Sequence, residues 1–152
     1  MISTPTRRFD APSARATFPA ERESVRRARS FVAEYLLDWL GAERFGDGHD
    51  DDGQRAMLLV SELVSNAVLH AETAAVVEIG CSGPSSAPAT LHLSVSDGVT
   101  SGIEPALAGD PTPIGAASGR GLRIVDAFAD RWGVSIDVAG KTVWCEMAVQ
   151  GA

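Results

Sequence analysis

Hydrophobic positions along this chain recur with two periods. Val25, Ala28, Phe31, Val32, Tyr35, Leu36 and Trp39 share one side at helical spacing, which predicts a helix over 24–40. Ser24 is placed to N-cap it, and Gly41 to stop it. Residues 51–70 predict a second helix of a different kind. Leu58, Leu59, Val60, Leu63, Val64, Ala67, Val68 and Leu69 cover almost every direction around it, the mark of a buried helix. Yet Glu62, Asn66 and His70 follow one another at steps of four, within an arc of ~80° at ~100° per residue. Ser61 and Ser65 border that stripe. A carboxylate and an amide are costly there unless something pairs with them, and a ligand or metal is one candidate.

Elsewhere the period is two. Short β-like runs occupy 14–18, 75–81 and 90–96, the last two flanking a Ser/Gly/Pro hairpin loop at 82–88. In the third run Leu91, Leu93 and Val95 alternate with His92, Ser94 and Ser96, which predicts one half-exposed face. Two further strands are expected at 134–138 and 142–149, around a turn at Gly140. Residues 97–119 carry five glycines and three prolines, too long and broken for an ordinary connection. They read as a lid that leads through Ser118-Gly119-Arg120-Gly121 into a helix over 122–130. The resulting order predicts an α+β fold: a two-layer sandwich, its mixed and mostly antiparallel sheet carrying the helices on one face.

The chain of 152 residues suits a single domain, expected over 14–150 behind a flexible tail of residues 1–13. No apolar run reaches the ~18 residues of a membrane span, and the first 16 residues lack a signal-peptide core. Cys81 and Cys145 lie far apart in apolar runs, as buried reduced thiols do, and a cytoplasmic location is expected. His49, His70 and His92 form no zinc spacing. The net charge of −7 is uneven: residues 1–30 hold seven Arg and three acids, the rest six basic and seventeen acidic residues. The acidic body argues against nucleic-acid binding, and the basic start reads first as a solvated helix face.

Several phosphate and metal motifs fail. Gly140-Lys141-Thr142 lacks the upstream glycine of a P-loop, Ser135 standing there, and leads into a strand. No dinucleotide fingerprint follows the first strand. An EF-hand ending at Gly53 would need acids where Gly48 and Leu59 stand. The surviving set is coherent. Gly119, Arg120 and Gly121 precede a helix, where free N–H groups and the helix dipole favour an anion. Asn66 can offer a carbonyl oxygen to Mg²⁺, and Glu62 can orient or deprotonate an attacking hydroxyl. Asp97 can accept a hydrogen bond from a nucleobase amino group. Together these describe phosphoryl transfer from a Mg-nucleotide.

At these residues the chain resembles the Bergerat-fold ATPases, and among them the anti-sigma factor serine/threonine kinases of bacteria. Val60–Ala71 (VSELVSNAVLHA) resembles their N box, Asp97-Gly98 their adenine-binding aspartate box, Ser118–Val125 (SGRGLRIV) their second glycine box and Gly140–Trp144 (GKTVW) their last strand. The resemblance runs from about residue 14 to 149. It implies Glu62 as general base, Asn66 as Mg²⁺ ligand, Asp97, Gly98 and Thr142 near adenine, and Gly119, Arg120, Gly121 and Leu122 near the phosphates. It also implies ATP and Mg²⁺ as cofactors, a homodimer, a serine on an anti-anti-sigma protein as phosphate acceptor, and a sigma factor as the other partner. His70 reads as a packing residue at the helix end. The family's aspartate box reads Asp-x-Gly-x-Gly, whereas Val99 and Ser101 stand here with glycines at Gly98 and Gly102. That departure keeps a partner-binding module without phosphotransfer as the alternative.

Overall fold

In the computed structural model of the chain, residues 13–40, 51–83, 89–98 and 115–149 are described, the side chains of 40 and 115–121 excepted. Strand β1 (Ala14–Phe18) precedes helix α1 (Glu23–Leu40) and helix α2 (Asp51–Ser65), which continues into a π-helical turn, Asn66–His70. Strands β2 (Ala75–Ser82) and β3 (Ala89–Asp97), helix α3 (Gly115–Phe128), and strands β4 (Arg131–Asp137) and β5 (Gly140–Val149) follow. The sheet has the order β1-β2-β3-β5-β4, and all four ladders are antiparallel, where a mixed sheet was expected. The α+β two-layer architecture is otherwise the one expected. The tail of residues 1–12, part of the acidic turn, most of the 82–88 loop and the body of the lid at 99–114 lie outside the described residues.

The period-two pattern explains the layers. Val77, Ile79, Leu91, Leu93, Val95, Val143, Cys145 and Met147 point to the helix side and are buried. They meet Ala28, Val32 and Leu36 of α1, Leu59, Val60, Leu63 and Val64 of α2, and Leu122 and Val125 of α3. Phe31, Tyr35 and Trp39 pack at the margin of this core, as the stripe on α1 required.

Two local expectations change. Ser24 does not cap α1 from outside; the helix begins at Glu23, and the fully buried Ser24 hydroxyl donates to the Pro19 carbonyl at 2.7 Å. It ties the helix to the end of β1. The face of β3 carrying His92 and Ser94 is buried, not half-exposed. Trp144 of β5 stacks on the His92 ring, with centroids 6.1 Å apart and planes 17° apart. Glu146 lies 3.5 Å from His92 Nδ1 and 3.4 Å from the Arg131 guanidinium, so the polar positions shelter one another. Gly133 makes room for the indole: a Cβ there would meet Trp144 ring atoms at 2.8 Å.

Candidate functional site

Helix α2 carries Glu62 and Asn66 on successive turns, and the end of β3 carries Asp97. The π turn governs how the first of these elements ends. The Ala71 N–H donates to the Asn66 carbonyl at 2.9 Å, five residues back, and Thr73 N–H donates to the Ala67 carbonyl at 3.0 Å. Glu72 takes a left-handed conformation, φ 58°, to stop the helix. A wider turn advances each residue by less than the ~100° of an α-helix, so the stripe does not continue to its third member. His70 is exposed, as is Leu69 beside it, while Asn66 is buried.

Leu63, Asn66, Val95, Asp97, Leu122, Lys141 and Val143 surround one narrow cleft, whose free volume of about 10 Å³ is room for about one water molecule. Of the residues singled out in the sequence, it therefore brings together Asn66, Asp97 and Leu122. Glu62, one turn before Asn66, is half-buried outside the cleft lining. Neither the Glu62 carboxylate nor the Asn66 amide hydrogen-bonds a side chain or backbone group among the described residues. Gly98 follows Asp97 at the exposed rim, where its N–H donates to Thr73 Oγ1 at 3.3 Å and fastens the end of β3 to the chain leaving α2.

Two other placements differ from expectation. Helix α3 begins at Gly115, not at Leu122, so the backbone of Gly119, Arg120 and Gly121 lies within the helix and not ahead of it. The Arg120 side chain lies outside the described residues. Thr142 is not on the cleft side. It pairs in register with Ser96, and their hydroxyls lie 2.7 Å apart on the face away from the helices. Strand alternation is the reason: Val143 faces the core, so its neighbour Thr142 faces away and Lys141 faces the cleft.

Lys141 is the residue that sequence reasoning passed over. It is the chain's single lysine and sits opposite Asp97 in the β3–β5 ladder. Its Nζ lies 3.4 Å from Asp97 Oδ2, with side chains 7% and 4% exposed. The signal was available, since parity with the apolar Val143 assigns Lys141 to the buried face. Gly140 lets this pairing form. Its φ is +152°, and a Cβ there would fall 1.8 Å from the Asp97 carbonyl oxygen. The Asp137 carboxylate accepts N–H bonds from Ala139 and Gly140, at 2.7 and 3.1 Å, and closes the turn that delivers β5 to this point.

An oxygen-preferring cation fits the donor set: a buried Asn66 amide without a described hydrogen-bond partner, one turn from a half-buried carboxylate. Among the described residues there is no cluster of three or more His, Cys, Asp or Glu that would hold a metal on its own.

The family described as histidine kinase-like ATPase domain matches residues 18–147. A search of curated proteins finds no significant match. Among solved structures, the chain is similar to the RsbU and RsbW domains of Rv1364c from Mycobacterium tuberculosis. The TM-score is 0.61 at 19% identity, over 93% of this chain and 34% of that one. The likeness is one of fold, and this chain spans about a third of the length of that relative. No helix among the described residues is long and apolar enough to cross a membrane.

Proposed function

The chain belongs to the histidine kinase-like ATPase domain family, and from that premise we propose that it is a Mg-ATP-binding anti-sigma factor with protein serine kinase activity. The observation that carries this reading is the convergence of Asn66 and Asp97 on one cleft, with Glu62 one helical turn away. Asn66 would hold the Mg²⁺ that neutralises phosphate charge. Glu62 would accept the proton of a serine hydroxyl on an anti-anti-sigma partner as the γ-phosphoryl group moves to that oxygen. Asp97 would receive the adenine amino group. A sigma factor as the sequestered partner and a homodimer as the working form belong to the same proposal; the solved RsbU and RsbW domains share the fold.

Incubation with Mg-ATP and the cognate anti-anti-sigma protein should yield phosphoserine on the latter. Glu62→Ala should lower the rate by ~10²-fold or more, the usual contribution of a positioned base, with the circular dichroism spectrum unchanged. Transfer at an undiminished rate would remove Glu62 as the base. A partner-binding module without phosphotransfer is the second reading, favoured by the ion pair that Asp97 already makes with Lys141.

A further inference from the structure

We propose that Lys141 is the specificity-determining residue of the cleft: its ammonium group holds the Asp97 carboxylate where a nucleobase amino group would otherwise bind. The proposal rests on reading the cleft as a nucleotide site, and it concerns how strongly that site accepts adenine.

The ladder places Asp97 and Lys141 directly opposite each other, on the helix side of the sheet. Their charged ends are 3.4 Å apart and almost wholly removed from water. Leu63, Val95, Leu122 and Val143 wall the same space. An adenine amino group is a neutral donor. To reach Asp97 it must replace a full positive charge at a place where solvent screens little, and charge-assisted bonds are about twice as strong as neutral ones. The lysine side chain also lines the cleft. Admission of adenine therefore requires Lys141 to leave the carboxylate, and the cost of its leaving is subtracted from the affinity. The flexible four-carbon stem makes departure feasible, so binding is weakened and not forbidden.

The two charges explain each other's presence. Either alone would be strongly unfavourable in this setting, whereas the pair is tolerable. Replacing Lys141 takes its positive charge off the Asp97 carboxylate, which a base amino group can then approach without displacing it. The open Gly140 backbone and the Asp137 turn hold the start of β5 against β3, so Lys141 is delivered to this spot by the fold and not by chance of a loose side chain.

The test is calorimetric titration of the full chain with Mg-ATP and, separately, with Mg-tripolyphosphate, which lacks a base. Lys141→Ala should tighten Mg-ATP binding at least tenfold and leave tripolyphosphate binding within about twofold of wild type. Should the alanine variant fold poorly, Lys141→Met preserves most of the volume while releasing the carboxylate, and it should tighten Mg-ATP in the same direction. Affinity for Mg-ATP that is unchanged or weaker in a folded variant overturns the proposal, and so does an equal gain for both ligands. Tight Mg-ATP binding by the variant without serine phosphorylation by either form would uphold the role of Lys141 and remove the kinase reading. Tight binding by wild type that weakens on substitution, with phosphorylation intact, would do the reverse.

Discussion

At the scale of single residues, Gly140 has more resting on it than its size suggests. Its φ of +152° is strained for any side chain, and the 1.8 Å approach of a Cβ to the Asp97 carbonyl leaves no room for one. A flexible neighbour could yield, but a backbone carbonyl held in the terminal pair of the β3–β5 ladder yields only if the strands part. Gly140→Ala should therefore cost on the order of 3 kcal/mol, in the range of steric conflict plus backbone strain. Urea denaturation would measure it; a loss below about 1 kcal/mol, within the range of ordinary surface changes, would mean that β5 shifts freely away from β3. Residue-level reading of the sequence singled out Asn66 and Asp97, and both line the cleft. It missed where direction mattered. Thr142 is the more nucleotide-like side chain and Lys141 the less, yet strand parity turns the first away from the cleft and the second into it. Motif resemblance names residue types, whereas the pleat decides which of two neighbours is presented.

At the scale of elements, the cleft exists because α2 and α3 lie side by side over the same strands. Arg55 joins these helices away from the cleft. Its guanidinium donates to the Phe128 carbonyl at the last residue of α3, at 2.6 and 3.2 Å. It also lies 3.7 Å from Asp52 and from Asp130. The carbonyls at a helix end lack intrahelical partners, so a cation there both caps them and opposes the dipole. Arg55→Ala should destabilise the chain by ~1–2 kcal/mol, the worth of a partly exposed charged hydrogen bond, with the loss concentrated in α3. Faster amide exchange at the C-terminal turn of α3 than at the end of α2 would bear this out; uniform acceleration across all elements would count against it. The helical and strand periods made every described strand and α-helix legible in the chain, with ends shifted by a few residues except at the start of α3. The π turn at Asn66–His70 was not legible, because it is a choice among backbone acceptors that side-chain spacing does not report. Extrapolating ~100° per residue through it put His70 on a stripe that it leaves. The start of α3 was misplaced for a related reason: glycines at 115, 119 and 121 read as a lead-in, although glycine only weakens a helix and does not forbid one.

At the scale of the whole molecule, three titratable groups that carry no charge at neutral pH lie in the apolar layer between helices and sheet or at its edge. Burial pushes the Cys81 thiol up to about 12. Cys145 is also raised to about 12, by burial first and by the Glu146 charge second. Tyr35, beside Cys81 at the margin, is raised by burial and then by the neighbouring thiol. For all three the neutral form is the one the fold prefers. Below pH ~9, the ordinary thiol range, folded and unfolded chains bear the same protons at these groups and their contribution to stability is complete. As pH rises from there toward 12, the unfolded chain loses protons that the folded chain keeps, so stability falls throughout that window. Urea midpoints should be level from pH 7 to about 8.5 and decline steadily above 9, and a Cys81→Ala, Cys145→Ala double variant should show a shallower decline from a lower starting value. The variant separates thiol ionisation from the general self-repulsion of a chain already at −7. If both proteins lost stability with the same slope, the buried thiols would not be its source. A thiol reagent offers the matching kinetic view: at pH 8 the native chain should react at the rate of its unfolding, because neither sulfur is exposed without it.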